Sequence, residues 1–295
     1  MKPAAFEYVC PDTLEEALSY LDLWGDSAKI LAGGQSLVPL LNMRLAQPQY
    51  IIDINRLPGL SGITRHPDTR TVEIGALVRH HQLISNPILL AHASLLSEAA
   101  RYIGHIAIRS RGTIGGSIAH ADPSGELPLA VTALRGHLKV RSRHSQRTIP
   151  IEDFFGGYYM TALEPNELIY AVEVLESPIR TGCAVKEFQR RHGDFALASA
   201  AAAITVDESG AVLQARVAVG GVAPNAVTCS KVEEALCGQT NNNQFSLAAE
   251  LVAQHIDPPE DIQASADYRR HLAIALAAEA IDSAYERALW AKEEA

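Results

Sequence analysis

Cysteine is scarce in this sequence, and its scarcity excludes two kinds of site. The four cysteines among 295 residues are Cys10, Cys183, Cys229 and Cys237. They are too few and too widely spaced for a disulfide framework, and no two have the short spacing that zinc and iron–sulfur sites favour. His80 and His81 are adjacent but have no third ligand at a useful spacing. We therefore predict that this chain binds no metal.

Positive charge, aromatic residues and long apolar runs are also in short supply. The 25 Lys and Arg residues against 34 Asp and Glu give a net charge of −9, and aromatic residues make up 6% of the chain. Such a surface is unsuited to nucleic acid or anionic lipid. The longest nearly apolar stretch, Phe195 to Val206, contains Ser199 and Thr205 and is shorter than the roughly 20 residues that span a bilayer. We predict neither a nucleic-acid partner nor a transmembrane segment.

The N-terminal segment is unlike a secretion signal. Pro3 and Glu7 interrupt it early, where a signal peptide needs an unbroken apolar run. We therefore expect the protein to stay in the cytoplasm.

The pattern of elements changes once along the chain. Strands and helices alternate in the first part, and Thr13 with Glu16 has the capping-box spacing of a helix start. From about Pro178, long strands are followed by helices, which indicates a separate α+β domain. Ser230 and Glu233 form a second candidate capping box in that part.

Two glycine pairs stand out, each predicted to follow an apolar strand. They lie in Ala32-Gly33-Gly34-Gln35-Ser36 and in Thr113-Ile114-Gly115-Gly116-Ser117. Consecutive glycines let successive backbone N–H groups converge on an anionic oxygen, and a helix that starts behind the loop adds partial positive charge. Two such loops together can hold a diphosphate without lysine or arginine, which suits an acidic chain.

A plainer interpretation of the glycine pairs stays open at this point. Glycine is the default residue of tight turns, so each pair can simply reverse the chain. Neither pair fits the dinucleotide pattern Gly-x-Gly-x-x-Gly or the Walker pattern with its lysine, which disfavours a Rossmann fold and a P-loop nucleotidase.

Both glycine segments resemble those of the FAD-binding medium subunit of molybdenum hydroxylases, the family of carbon monoxide dehydrogenase and xanthine dehydrogenase. The resemblance runs nearly end to end. Its most specific parts are Ala32-Gly33-Gly34-Gln35-Ser36-Leu37, the segment Ile108 to Ser117, and Ala119-His120-Ala121-Asp122-Pro123. The segments Thr161 to Ile169, Arg190 to Ala196 and Val219 to Pro224 add to it.

The resemblance implies an α+β fold with a PCMH-type, two-lobed FAD-binding domain followed by a smaller α+β C-terminal domain. We assign residues 1–177 to the first domain, with lobes at about 1–57 and 58–177, and residues 178–295 to the second. FAD would lie extended between the lobes.

The resemblance also implies which residues bind the cofactor. The glycine segments would contact the diphosphate and ribityl chain of FAD. Glu126 occupies the position of an aspartate that binds the sugar portion, and its extra methylene moves the carboxylate outward. Phe195 would either stack as an aromatic lid near the flavin ring or take part in ordinary packing. His120 would lie either near the flavin edge or in a structural role. No residue is assigned a catalytic role. The predicted cofactor-binding residues are Ala32, Gly33, Gly34, Gln35, Ser36, Leu37, Thr113, Ile114, Gly115, Gly116, Ser117, His120, Glu126 and Phe195.

The implied function is electron transfer within a larger assembly. A molybdopterin-containing large subunit would oxidise the substrate, and a small subunit with two [2Fe–2S] clusters would pass electrons to FAD in this chain. An acceptor such as NAD, oxygen or quinone would receive them. Two alternatives remain, namely a self-sufficient PCMH-type FAD oxidoreductase and a non-enzymatic α/β binding protein.

Overall fold

The computed structural model describes residues 2–240 and 242–293. Residue 1 of the predicted FAD-binding domain and residues 241, 294 and 295 of the predicted C-terminal domain lie outside these ranges. Among the described residues, no helix is both long enough and apolar enough to cross a membrane.

The N-terminal part is a small parallel sheet with two helices. Its elements are β1 (Glu7–Val9), α1 (Leu14–Trp24), β2 (Ala28–Leu31), α2 (Leu37–Asn42) and β3 (Tyr50–Asp53). Strand β3 lies between β1 and β2 and pairs with both in parallel. Parallel strands end at the same edge of a sheet, so the residues that follow β2 and β3 are brought together. The first glycine segment follows β2, and Asn55 follows β3.

Helix α1 begins and ends where its sequence predicts. The Thr13 hydroxyl accepts a hydrogen bond from the Glu16 amide at 3.2 Å, and Gly25 ends the helix with φ of 46°. The Glu16 carboxylate reaches back to the Asp12 amide, one residue before the expected position.

The second part, from Ile63 to Leu175, packs a run of short helices against an antiparallel sheet with the strand order β4-β5-β10-β6-β7. The elements are β4 (Ile63–His66), β5 (Thr71–Gly75), α3 (His80–Ser85), α4 (Pro87–His92), α5 (Ser94–Tyr102), α6 (Ile106–Arg109), α7 (Ile114–His120), α8 (Glu126–Ala133), β6 (His137–Arg141), β7 (Gln146–Pro150), β8 (Phe155–Gly157), β9 (Met160–Thr161) and β10 (Leu168–Leu175).

The C-terminal part is an antiparallel sheet covered by a long helix, as expected for an α+β domain. The strands are β11 (Thr181–Phe188), β12 (Ala198–Val206), β13 (Val212–Gly220) and β14 (Val227–Thr228), and the helices are α9 (Ser230–Leu236), α10 (Asn242–Ala249) and α11 (Ala266–Glu293). The sheet order follows the chain order. Helix α11 packs along β11 and β12.

Strand β12 is buried along its whole length because both faces of the sheet are covered. Ala200 and Ala202 belong to the core beneath α11, whereas Ala201 and Ala203 belong to the core that includes helices α5 and α8. Alanine is small enough to let both layers approach closely. The C-terminal sheet therefore shares a hydrophobic core with the preceding part of the chain.

The second predicted capping box is wrong. Helix α9 begins at Ser230, and within the described part of the chain no side chain caps its first turn. Glu233 instead crosses the core: one carboxylate oxygen accepts from the Val217 amide at 2.9 Å, and the other pairs with Arg135 at 2.6 Å. A partner in the tertiary structure has displaced the local interaction that the spacing predicted.

Candidate functional site

The first glycine segment is an open loop in the sense that its backbone donors face no acceptor among the described residues; Gly33 is buried, and Gly34, Gln35 and Ser36 are half-buried. Within residues 2–240 and 242–293, the N–H groups of Gly33, Gly34, Gln35 and Ser36 donate no hydrogen bond to the protein. Gly34 has φ of 72°, a conformation that glycine adopts at little cost. The Gln35 side chain folds back and donates to the Gly33 carbonyl at 3.2 Å. Successive unpaired N–H groups of this kind suit an anionic oxygen.

The second glycine segment lies in the first turn of helix α7, so the expectation that it follows a strand is wrong. Short helix α6 precedes it, and Thr113 caps α7 by accepting from the Gly116 amide at 3.2 Å. Three further amides are also paired: Ile114 donates to the Val78 carbonyl, Gly115 to the Ala76 carbonyl and Ser117 to the Thr113 carbonyl. These amides are committed to the fold, which is a different arrangement from the first loop.

Only part of the second segment is accessible to a cofactor, because some of its residues are buried. The Ile114 side chain and Gly115 are both buried in the protein. A β-carbon on Gly115 would lie 2.5 Å from the Ala76 β-carbon, so this glycine serves close packing. Gly116 and Ser117 are half-buried and can be reached from outside.

The structure brings the two segments into direct contact. A β-carbon on Gly33 would lie 2.5 Å from the Arg111 carbonyl oxygen and 2.8 Å from the Gly112 α-carbon. A β-carbon on Gly116 would lie 3.8 Å from that of Ala32. The open loop is therefore seated against the chain that leads into α7.

Two residues that the sequence analysis did not single out join these segments. Asn55 donates through Nδ2 to the Ala32 carbonyl at 2.7 Å and accepts through Oδ1 from Arg79 Nη2 at 2.6 Å. Arg79 also donates through Nη1 to the Arg111 carbonyl. Neither residue belongs to a recognisable motif, because the bonds connect parts of the chain that are distant in sequence.

Basic side chains lie close to the stretch of chain that leads into the second segment, although the sequence indicated two loops that bind without lysine or arginine. Besides Arg79, Arg109 donates to the carbonyls of Ile103 and Gly104 at 2.8 and 3.0 Å. His80 is buried beside Gly112, where burial lowers its pKa to about 4, with a further contribution from Arg79 and Arg109. The guanidinium groups of Arg79 and Arg109 bring positive charge to this region, although both donate hydrogen bonds to backbone carbonyls.

His120 lies at the far end of α7 from the glycine pair. Its ring contacts that of Tyr159 with centroids 5.2 Å apart, and the Tyr159 hydroxyl donates to Asp122 at 3.5 Å. Burial lowers the pKa of His120, while the Asp122 charge opposes the shift. A place beside the flavin edge stays a prediction for His120.

Phe195 is 72% exposed, in the segment between β11 and β12. No aromatic ring contact is formed by Phe195 among the described residues. An exposed ring is available to cover a ligand, and its role as a lid stays a prediction.

Glu126 begins helix α8 and is half-buried near a second carboxylate. Burial, together with repulsion from Glu187 and Asp122, raises the pKa of Glu126 to about 8. Burial also raises the pKa of Glu187 to about 7, against a hydrogen bond from Gln189. A neutral Glu126 carboxyl can donate as well as accept a hydrogen bond, which is useful toward a sugar hydroxyl.

The raised pKa of Glu126 predicts a pH-dependent effect of replacing it. Folded protein keeps a proton that unfolded protein has released between about pH 4.5 and 8, so the Glu126 contribution to stability falls as pH rises through this window. Glu126→Gln removes the penalty. We expect its melting temperature, measured without cofactor, to exceed that of wild type by about 2–5 °C at pH 8.5 and to match it near pH 5.

Replacing the exposed Glu208 with glutamine provides the control for the same chemical change at the surface. A melting-temperature difference for Glu126→Gln that stays constant from pH 5 to 8.5 would contradict this account of the carboxyl.

Comparison with known proteins identifies the family. Residues 4–174 match the model described as the FAD binding domain in molybdopterin dehydrogenase, and residues 183–284 match that of the CO dehydrogenase flavoprotein C-terminal domain. The chain is 41% identical to the 6-hydroxypseudooxynicotine dehydrogenase complex subunit alpha of Paenarthrobacter nicotinovorans, over 99% of each chain. It is 38% identical to the carbon monoxide dehydrogenase medium chain of Hydrogenophaga pseudoflava, over 97% of this chain and 99% of that one.

Solved structures agree with this relationship. The carbon monoxide dehydrogenase from Hydrogenophaga pseudoflava that lacks the Mo-pyranopterin moiety contains a chain that superimposes with a TM-score of 0.93. The match has 38% identity and covers 97% of this chain and 99% of that chain. The two-domain α+β fold and the binding of FAD expected from the resemblance are thereby confirmed. The chain belongs to the family of FAD-binding medium subunits of molybdenum hydroxylases.

Proposed function

We propose that this oxidoreductase subunit relays electrons through FAD and leaves substrate oxidation to a partner. Electrons would arrive from [2Fe–2S] clusters of a small subunit, after a molybdopterin-containing large subunit has oxidised the substrate. They would leave to an acceptor such as NAD, oxygen or quinone. The observation that carries this proposal is the open loop of four unpaired amides, Gly33 to Ser36, seated against the start of α7.

In this proposal the chain binds and orients the cofactor. The amides of Gly33, Gly34, Gln35 and Ser36 would donate to the diphosphate, a task for which unpaired N–H groups are suited. Gly116 and Ser117 would let the cofactor approach the backbone of α7 closely, because neither residue has a bulky side chain. Arg79, Arg109 and Arg111 would add favourable charge around an anion.

The remaining predicted residues would hold the rest of the cofactor. Glu126 would bind the sugar portion, Phe195 would cover the flavin ring and His120 would lie at its edge. Leu37, the first residue of α2, and Thr113, which caps α7, would support the two loops. When bound, FAD accepts electrons one at a time and releases them singly or in pairs, and the redox chemistry belongs to the cofactor.

We include partner subunits in the proposal because two relatives are named as a complex subunit and as a medium chain. A flavoprotein that only relays electrons needs a donor, and the four cysteines of this chain lack the spacing of an iron–sulfur site. The large and small subunits would supply the missing centres.

The proposal is tested by purifying the chain alone and together with the proteins that accompany it at native expression levels. We expect yellow protein with one FAD per chain, no turnover of aldehydes or N-heterocycles by the isolated chain, and turnover by the complex. Turnover by the isolated chain would favour the self-sufficient oxidoreductase. Colourless protein that takes up no FAD, even after refolding with excess cofactor, would favour the non-enzymatic alternative.

A further inference from the structure

The two loop segments are connected by an unbroken chain of side-chain hydrogen bonds. It starts at the Ala32 carbonyl, passes through Asn55 and Arg79, and ends at the Arg111 carbonyl. Ala32 and Asn55 follow strands of the parallel sheet, whereas Arg79 and Arg111 come from the part of the chain that packs on the antiparallel sheet. The bonds therefore connect the part of the protein that contains the parallel sheet with the part that contains the antiparallel sheet.

The two side chains in the middle of this chain of bonds, Asn55 and Arg79, are each held in place by further contacts. Asp53 Oδ1 accepts from the Asn55 amide at 2.9 Å and from Asn55 Nδ2 at 2.6 Å, which fixes the side-chain amide in one orientation. The other Asp53 oxygen accepts from the Tyr8 hydroxyl at 2.6 Å. Although burial works in the opposite direction, the hydrogen bonds from Tyr8 and Asn55 lower the pKa of Asp53. The acceptor at the base of this chain is thus kept charged.

The Arg79 backbone is likewise held by two contacts. Its amide donates to Gln82 Oε1 at 2.8 Å, and the residue lies in an isolated antiparallel bridge opposite Thr113. The neighbouring bonds from the His80 amide to Gly112 and from the Ile114 amide to Val78 tie the same stretch to the start of α7. Arg79 is therefore fixed relative to the second segment.

The geometry points to Asn55 and Arg79 as positioning residues that set the separation of the two glycine segments and so prepare the open amide loop for the diphosphate. This inference rests on the proposed function, in which FAD occupies these loops. Gly33 already touches the Arg111 carbonyl, so a small displacement of either segment alters where the four amides point. A displacement on the scale of 1 Å is enough to weaken binding that depends on preorganised donors.

The side-chain types fit this task and their closest substitutes do not. Arg79 uses Nη1 and Nη2 on two different acceptors, which a planar guanidinium can span and a lysine ammonium cannot reproduce in the same geometry. Asn55 both donates to Ala32 and accepts from Arg79, whereas an aspartate has no N–H to give the Ala32 carbonyl.

Charge adds a second reason for placing an anion here. Arg79 is half-buried, and burial together with the neighbouring Arg111 charge lowers its pKa. Asp53 is the charged group that opposes this shift. A diphosphate bound at the adjacent loop would relieve the repulsion between the two arginines.

The test measures FAD binding and folding stability separately in Asn55→Ala, Arg79→Lys and the double variant, using the isolated full chain freed of flavin. FAD is titrated into each protein and the dissociation constant is read from flavin fluorescence, and the melting temperature is recorded without cofactor. We expect each single variant to bind FAD roughly 10- to 100-fold more weakly. The double variant should be little weaker than the weaker single variant, because both changes break the same connection.

Arg65→Lys is the matched control. Arg65 also uses a guanidinium fork, on Glu176 at 2.5 and 3.1 Å, but it lies on β4 and takes no part in the loop contacts. We expect its FAD affinity to equal that of wild type. A role of Arg79 as a point charge alone predicts that Arg79→Lys binds FAD normally, and that result would overturn the inference.

The remaining outcomes separate this inference from the proposed function. If wild type binds FAD and both single variants bind it equally well, the positioning role fails while the proposed function stands. If both variants have lower melting temperatures but unchanged FAD affinity, the positioning role also fails, because Asn55 and Arg79 would then be residues of general structural importance. If wild-type protein takes up no FAD, the proposed function itself fails.

Discussion

Gly33→Ala should weaken FAD binding by roughly 10- to 100-fold while leaving the protein folded. The new β-carbon would lie 2.5 Å from the Arg111 carbonyl oxygen and 2.8 Å from the Gly112 α-carbon. Both are backbone atoms and cannot swing aside, so the two segments must separate. Overpacking of this kind costs about 1–3 kcal/mol. FAD binding must meet this cost because the separated segments have to close again around the diphosphate, and every 1.4 kcal/mol is a tenfold change in affinity.

The measurement is the FAD dissociation constant of the flavin-free protein, with the melting temperature as a check on folding. Gly62→Ala is the matched control, because a β-carbon at Gly62 would have no described atom within 4 Å and the residue does not have a positive φ. Its affinity should equal that of wild type. An FAD dissociation constant for Gly33→Ala equal to that of wild type would show that the contact between the segments does not govern binding.

Gly182→Ala should lower the melting temperature by about 6–12 °C while leaving the residues of the amide loop untouched. A β-carbon on Gly182 would lie 2.0 Å from the Ala284 carbonyl oxygen and 2.4 Å from the Ala288 nitrogen, both in the backbone of α11. Because α11 packs along β11 and β12, the whole helix must move away from the sheet. The cost is about 3 kcal/mol, and each kcal/mol shifts the melting temperature by about 2–4 °C in a protein of this size.

Moving α11 also disturbs a junction between the C-terminal sheet and the preceding helices. Arg287 of α11 donates to Glu98 and to the Cys183 carbonyl, and Glu98 in turn accepts from the Val185 amide at 3.1 Å. These bonds cover the free edge of β11, whose backbone groups would otherwise be unpaired.

Thermal unfolding of the flavin-free protein measures this effect, with Gly156→Ala as the control, since its nearest neighbour would be the Met160 β-carbon at 3.7 Å. At low temperature the folded Gly182→Ala protein should bind FAD with wild-type affinity. A melting temperature within a degree of wild type would mean that the strand and helix are not in the close contact described.

Local sequence signals predicted those features that depend on neighbouring residues. The start of α1 follows from the Thr13 hydroxyl, and its end follows from the positive φ that Gly25 adopts. The first glycine segment is likewise a local feature, because it is the pair of glycines after β2 that leaves the amides open. The resemblance to a known family supplied the overall fold and the cofactor.

Features that depend on contacts across the chain were missed or misassigned. The second glycine segment has a glycine pair and a serine like the first, but the carbonyls of Ala76 and Val78 accept from two of its amides and the segment begins a helix. Glu233 has the spacing of a capping residue, yet Arg135, which lies 98 residues away, holds its carboxylate. Asn55 and Arg79 carry no signal in their own neighbourhoods, since each acquires its role only when the two sheets are assembled.

A crystal structure of the protein with FAD bound tests the central claim most directly. The account predicts that oxygens of the diphosphate lie about 2.7–3.2 Å from the backbone nitrogens of Gly33 to Ser36, a normal hydrogen-bond distance, with Gly116 in van der Waals contact. A diphosphate held elsewhere, with those four nitrogens facing only water, would contradict it.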